Sequence, residues 1–300
     1  MQSREPIPYV GRFAPSPTGP LHFGSLVAAA ASYLQARANN GLWLLRVEDI
    51  DPPREQAGAS AAIIEGLERY GFEWDDECLF QSTRSDAHEA ALAALLDKEV
   101  AYRCDCSRRD LADVQRGPLG LIYPGTCRDG CSSGDAAIRL RTNQSDVAFV
   151  DLLQGRFTQN LEKESGDFVI RRRDGLIAYH LAVVVDDAFQ GITEIVRGID
   201  LLDSTPRQIW LQKLLGYSIP NYAHFPVITH VNGDKLSKLT GEPGIPMDVV
   251  AETLIEVIDT LGLKAPPKLA TESLPEIWSW AKENWQIKNL CGQKTIIKTS

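Results

Sequence analysis

Two short segments carry residue types that can handle phosphate groups. The first, residues 17–25, reads Pro-Thr-Gly-Pro-Leu-His-Phe-Gly-Ser and leads into an apolar, alanine-rich run over residues 26–38. This order predicts a turn and then a helix whose free N–H groups and positive end attract an anion. His22 adds a donor, and Gly24 permits close backbone approach. The second segment, residues 235–238 (Lys-Leu-Ser-Lys), supplies two ammonium groups that would neutralise charge developing on a phosphate. We predict one split ATP site.

Composition limits the class of protein. The 300 residues are 44% hydrophobic and carry a net charge of −9, which suits one large or two modest domains with a buried core. Because no run of about 18 apolar residues occurs, we expect no membrane span. The start of the chain lacks the apolar core of a signal peptide, so we expect a cytoplasmic protein. The negative charge argues against a protein that coats nucleic acid without regard to sequence.

Strand-like and helix-like segments alternate on both sides of a cysteine-rich stretch. Strands are predicted at 10–13, 42–49, 168–171, 178–185, 194–198 and 225–230, with a loop at Asp186 and Asp187. Helices are predicted at 25–38, 58–70, 86–100, 205–215, 247–261 and 274–285, and a disordered tail from Asn289. This alternation predicts an α/β fold with a doubly wound parallel sheet.

Four of the six cysteines lie between Cys104 and Cys131. In a cytosolic chain, such clustering favours a metal over disulfides, and thiolates favour a closed tetrahedral zinc site. Chemistry alone selects Cys131 as the fourth ligand after Cys104, Cys106 and Cys127, because tyrosine is rarely one. Four reduced structural thiols are the alternative.

The phosphate segments resemble the HIGH and KMSKS signatures of class I aminoacyl-tRNA synthetases. Residues 11–19, Gly-Arg-Phe-Ala-Pro-Ser-Pro-Thr-Gly, are similar to the entry motif of the glutamyl and glutaminyl branch, and residues 46–51 and 196–202 continue the match. Ser25 and Leu239 depart from the signatures. Since Ser25 leaves a single imidazole, we assign the phosphate role to His22 and a helix-start role to Ser25.

The resemblance implies a Rossmann-like catalytic domain that activates glutamate with ATP and Mg²⁺ and transfers it to tRNA. The implied catalytic residues are His22, Lys235 and Lys238. The implied ATP-binding residues are Pro17, Thr18, Gly19, His22, Gly24, Ser25 and Lys238.

Glutamate presents an ammonium and two carboxylates, so its pocket needs an acid and guanidinium groups in fixed geometry. Arg12, Glu48 and Arg197 supply these groups at the carboxyl ends of predicted strands, where open α/β sheets bind ligands. The resemblance adds Ala14, Ser16 and Tyr179 to the glutamate site.

Short members of this family carry a C-x-C and a Y-x₃-C pattern with tyrosine in the metal shell. That resemblance implies one structural zinc held by Cys104, Cys106, Tyr123 and Cys127, with Tyr123 in place of Cys131. The predicted division is a first catalytic half at 1–100, a zinc-bearing insertion at 101–167, a second half at 168–232, and the lysine loop with a small C-terminal helical region at 233–300.

Residues 239–300 are too few for the anticodon-binding domain of a full synthetase. The chain therefore resembles the truncated paralogue that attaches glutamate to the queuosine base of tRNA(Asp), and we expect a monomer. The alternatives are a minimal synthetase charging the 3′ end of tRNA(Glu), a small-molecule adenylyltransferase and a non-catalytic RNA-binding paralogue.

Overall fold

The computed structural model describes residues 8–131, 134–230, 233, 236 and 243–298. The strands are β1 (Val10–Phe13), β2 (Leu42–Val47), β3 (Leu79–Phe80), β4 (Ala101–Cys104), β5 (Arg116–Gly117), β6 (Gly120–Leu121), β7 (Ala137–Leu140), β8 (Asp146–Asp151), β9 (Gly155–Asn160), β10 (Phe168–Arg171), β11 (Glu194–Gly198), β12 (Asn221–Phe225), β13 (Val227–Thr229) and β14 (Thr295–Ile297). The α-helices are α1 (Phe23–Ala38), α2 (Ala59–Arg69), α3 (Ser85–Asp97), α4 (Leu161–Glu164), α5 (Tyr179–Phe189), α6 (Thr205–Leu215), α7 (Val250–Thr260) and α8 (Leu274–Asn284).

Parallel strands form the centre of the molecule. β1 pairs with β2 and β2 with β3, all in parallel, while β11 pairs in parallel with β12, which meets β8. The backbone N–H of Thr193 donates to the Val10 carbonyl at 2.9 Å and links the two groups of strands. The predicted parallel sheet is confirmed.

The two faces of this sheet differ because side chains alternate along each strand. Phe13, Trp43 and Leu45 join α1 in the largest apolar core, to which α7 and α8 also contribute. On the opposite face, Arg12 and Arg46 point towards α5. Helices therefore cover both faces, and Arg12 and Arg46 lie on the face opposite α1.

The prediction of a strand at 178–185 was wrong. Residues 179–189 form α5, and Asp186 and Asp187 lie buried within this helix rather than in a loop. A short apolar run suits a buried strand or a buried helix equally well. Asp186 accepts a hydrogen bond from Gln81 and contacts His88 at 2.9 Å. Tertiary partners therefore stabilise an acid that the sequence analysis placed in a loop.

The prediction of a disordered tail from Asn289 was also wrong for the residues described. Residues 287–290 form a 3₁₀ turn with Leu290 buried, and β14 pairs in parallel with β13. The predicted strand at 225–230 divides at Pro226, which lacks the N–H that a continuous ladder needs. A pairing between segments so far apart in the chain leaves no local signal.

Two strand pairs cross the predicted boundary between the insertion and the second catalytic half. β10 pairs with β7 of the predicted insertion, and β8 of that insertion pairs with β12. The four-part division stays a prediction. Among the described helices, none has both the length and the apolar character needed to cross a bilayer.

Candidate active site and cysteine cluster

The carboxyl ends of the central strands bring four predicted residues together. Arg12 lies one residue before the end of β1, Glu48 follows β2, Arg197 lies on β11 and Tyr179 begins α5. Arg12, Glu48 and Arg197 are all buried. Burial and the negative charge of Glu48 raise the pKa of Tyr179, and the charges of Arg197 and Arg12 oppose that rise. The four groups therefore act on one another within a single site.

Two charged residues that the sequence analysis did not assign complete this face. Asp187 of α5 forms ion pairs with Arg12, at 3.0 Å, and with Arg46, at 2.8 Å. The fully buried Arg46 also lies 3.6 Å from the Glu48 carboxylate. Burial raises the pKa of Glu48, although Arg46 and Arg12 oppose it. A single arginine within an apolar strand was the available signal for Arg46.

A cleft with a cavity volume of about 140 Å³ lies beside these charges. Glu48 and Tyr179 line it together with Ser16, Pro17 and Thr18. Predicted glutamate-binding and ATP-binding residues thus share one cavity. Ala14 follows β1 directly at the same edge of the sheet.

The first phosphate segment forms the start of α1 as predicted. Gly19 has φ of +138°, a conformation that favours glycine. His22 is the N-cap, and its Nδ1 accepts the backbone N–H of Ser25 at 3.3 Å. The cap is therefore the imidazole, and Ser25 stands in the first helical turn. An accepting Nδ1 leaves the proton of a neutral imidazole on Nε2, where it can donate to phosphate.

The second phosphate segment is described only at Leu236, since Lys235 and Lys238 lie outside the described residues. Leu236 is buried and donates its N–H to the Ile228 carbonyl at 2.9 Å. A β-carbon at Gly24 would lie 3.2 Å from the Leu236 carbonyl oxygen. The backbone at Leu236 therefore packs closely on the start of α1. A side chain at position 24 would crowd this backbone, so glycine suits the position.

The cysteine cluster, Cys104, Cys106 and Cys127 with Tyr123, is compact. The three sulfurs lie within 4.8 Å of one another. The Tyr123 Oη is 3.3 Å from the Cys104 sulfur and 3.4 Å from the Cys106 sulfur, and it accepts the Cys127 N–H at 3.0 Å. Cys131 packs against the cluster but does not belong to the three-sulfur group among the described residues.

The chemistry of this cluster fits a thiophilic cation. Burial raises the pKa of Cys106 to about 11. Burial also acts to raise the pKa of Cys104, but hydrogen bonds from Tyr123 and Arg139 lower it overall. Arg139 donates to the Cys104 sulfur at 3.2 Å and stacks on the Tyr123 ring. Three convergent thiols with one phenol oxygen match the donors that bind zinc in four-coordinate structural sites.

Comparison with known proteins identifies the family. A model of the catalytic domain of class I tRNA synthetases for Glu and Gln matches residues 9–252. A protein named glutamyl-Q tRNA(Asp) synthetase from Pseudomonas fluorescens is 54% identical over 278 residues, covering 92% of each chain. One of the same name from Dechloromonas aromatica is 50% identical and covers 97% of this chain and 98% of its own.

A solved structure agrees on the fold. The glutamate-tRNA synthetase of Elizabethkingia anophelis superposes with a TM-score of 0.80 at 24% identity, over 96% of this chain and 68% of the other. The structure is thus a class I catalytic domain with a parallel sheet. The chain belongs to the class I tRNA synthetase family for glutamate and glutamine, among the ligases named glutamyl-Q tRNA(Asp) synthetase.

Proposed function

We propose that this enzyme activates glutamate with ATP and transfers it to the queuosine base in the anticodon of tRNA(Asp), acting as a monomer. The observation that carries the proposal is the group formed by the buried Arg12, Glu48 and Arg197 with the partly buried Tyr179, which lies beside the cleft of the ATP segment. The names of relatives that match nearly the whole chain support the same substrates.

In the first step, a glutamate carboxylate oxygen attacks the α-phosphorus of ATP. The new bond gives glutamyl-adenylate, and the bond to the bridging oxygen breaks to release pyrophosphate. Glu48 would bind the substrate ammonium, and Arg197 and Tyr179 would orient its carboxylates. Because no protein group forms a covalent bond, positioning and charge stabilisation account for the rate.

The phosphate groups would lie at the start of α1. The His22 Nε2–H and the helix N-terminus would hold them in the ground state. Lys235 and Lys238 would neutralise the charge that develops on the leaving pyrophosphate. Mg²⁺ would arrive with ATP and offset phosphate charge, since this ion usually binds through substrate phosphates.

We also propose that Cys104, Cys106, Tyr123 and Cys127 hold one zinc ion. Once bound, the metal would neutralise the thiolates and fasten β4 to the loop at residues 123–127. The cluster includes none of the phosphate-segment residues, so its role would be structural.

Transfer of labelled glutamate to purified tRNA(Asp), with and without queuosine, tests the RNA assignment. Nuclease digestion then identifies the labelled nucleotide. We expect label on the queuosine nucleotide alone. Label on the 3′-terminal adenosine of tRNA(Glu) would favour the minimal synthetase instead. The matched control is tRNA(Asp) from cells that lack queuosine.

ATP–pyrophosphate exchange across several amino acids tests the activation step. We expect glutamate alone to support exchange. Exchange with a small metabolite would favour the adenylyltransferase, and the absence of any exchange, with tRNA present or omitted, would favour the non-catalytic RNA-binding paralogue.

A further inference from the structure

A buried chain of hydrogen bonds lies behind Arg197. Its Nε donates to the Nε2 of His224 at 3.0 Å, and its Nη2 donates to the hydroxyl of Thr205 at 2.7 Å. The opposite ring nitrogen of His224, Nδ1, is 2.6 Å from the Asp151 carboxylate. His224 is fully buried and Asp151 nearly so. The sequence analysis assigned a role to neither residue.

The proton of the His224 imidazole can be placed from its partners. A guanidinium only donates, so His224 must accept at Nε2 and carry its proton at Nδ1. Asp151 accepts that proton and three backbone N–H groups, from Leu153, Gln154 and His224 itself. Burial lowers the pKa of His224 to about 4, although Asp151 opposes this. The imidazole is therefore neutral at pH 7, as an acceptor facing a cation must be.

Arg197 also differs from the other two arginines on this face. Arg12 and Arg46 pair with Asp187, whereas within the described part of the chain no carboxylate forms a salt bridge with Arg197. Its Nη1 is buried and has no hydrogen-bond partner there. A buried donor without a partner is unfavourable for folding unless a ligand satisfies it. Both features indicate an anionic ligand.

We propose that His224 and Asp151 are positioning residues: by fixing the Nε and Nη2 edge of Arg197, they present its Nη1 to a carboxylate of the amino-acid substrate. The inference rests on the proposed function, which assigns Arg197 to the glutamate site. Two anchored nitrogens define the plane of a guanidinium, so the third has a single direction. Loss of the anchor should weaken glutamate binding without a direct contact to the substrate.

Three variants separate the parts of this chain. His224→Asn keeps a donor for Asp151 but loses the acceptor for Arg197, whereas His224→Gln places a carbonyl oxygen close to the position of Nε2. Asp151→Asn presents an N–H to Nδ1 and forces the imidazole proton onto Nε2, against the Arg197 N–H. The readouts are the KM for glutamate, the KM for ATP and kcat in ATP–pyrophosphate exchange.

We expect His224→Asn and Asp151→Asn to raise the glutamate KM by about 10–100-fold, the scale of a lost hydrogen bond to a charged group. The KM for ATP should stay near its wild-type value, and His224→Gln should restore most of the glutamate affinity. The matched control is His88→Asn, a second buried histidine that contacts an aspartate, Asp186, at 2.9 Å. It should affect folding stability but not the glutamate KM.

A wild-type glutamate KM in Asp151→Asn, combined with a raised KM in Arg197→Ala, would overturn the inference and leave the proposed function intact. If Arg197→Ala itself left the glutamate KM at the wild-type value, the proposed glutamate site would fail instead. A parallel rise of both KM values would indicate general damage to the fold and would also overturn the positioning role. If His224→Asn does not fold, Asp151→Asn and His224→Gln decide the question.

Discussion

The proposed glutamate site on the sheet and the cysteine cluster differ in how their charged and polar groups are paired. On the sheet, Asp187 pairs with both Arg12 and Arg46, so two of the three arginines already have a protein counter-ion without any ligand. In the cysteine cluster, three sulfurs and a phenol oxygen face one another, and ionised thiols there would repel without a cation. The sheet site is therefore preorganised by protein ion pairs, whereas the cysteine cluster would need a cation to offset its thiolates. Substitutions on the sheet should change substrate affinity or reaction rate, and substitutions in the cysteine cluster should change folding stability.

The largest expected effect is on the reaction rate. It should come from the second phosphate segment, which we propose acts together with the sheet site. Lys238→Ala should lower the rate of ATP–pyrophosphate exchange by about 10²–10³, the usual cost of losing a group that stabilises transition-state charge. Folding should not change, which a thermal melt would check. Lys282→Ala, at an exposed position on α8, is the control. Full exchange in Lys238→Ala would remove this residue from the mechanism.

Glu48→Gln tests the preorganised site itself. The neutral amide keeps the shape but loses the charge for the substrate ammonium, so the glutamate KM should rise by about 10–100-fold. Thermal stability should hold or increase, because burial already raises the pKa of this carboxyl. Glu65→Gln, on the exposed side of α2, serves as the control. A loss of stability with an unaltered KM would make Glu48 a structural ion-pair residue.

The ligand-dependent site is tested by Tyr123→Phe against Cys131→Ser. Loss of the phenol oxygen should weaken zinc binding by at least about 10-fold and lower the melting temperature of the metal-loaded protein. Cys131→Ser should retain the metal. Competition with a zinc chelator followed by metal analysis measures both variants. The opposite result, with zinc lost only in Cys131→Ser, would identify Cys131 as the fourth ligand.

The smallest expected effect is on folding stability at acid pH, and it involves His180, the neighbour of Tyr179 in the chain. Burial lowers the pKa of His180 to about 3 from the ordinary 6.5. Between these values the unfolded chain binds one proton more than the native protein, so His180 makes stability fall as pH falls. His180 should lower the free energy of unfolding by about 1.4 kcal/mol for each unit by which the pH falls in this range. Urea unfolding at pH 6.0, 5.0 and 4.0 should show a slope smaller by this amount in His180→Gln, and equal slopes would refute the prediction.

Most candidate site residues could be predicted from sequence because they belong to short motifs. His22 and Gly24 open a helix in a pattern that local rules recognise. The clustering of Cys104, Cys106 and Cys127 indicates a metal, and the resemblance to short members of the family adds Tyr123. Arg12 and Glu48 lie near the ends of strands that alternation predicts. Such signals need only neighbours in the chain.

The partners of these residues could not be found in that way. Asp187 was predicted to lie in a loop, yet helix packing buries it against two arginines. Asp151 and His224 are in contact because β8 and β12 are neighbouring strands. The local sequence around either residue does not predict the other as its partner. The pairing of β13 with β14 was missed for the same reason.

The sequence by itself determined the chemical groups of this protein: a histidine and a glycine at a helix start, a lysine pair, an acid with arginines near strand ends, and a thiol cluster. Tertiary structure alone decided which buried charges are already paired and which nitrogen is left for a ligand. The physical reason is that residue type fixes what a side chain can donate or accept, whereas charge balance in a core depends on the groups that packing brings within a few ångströms.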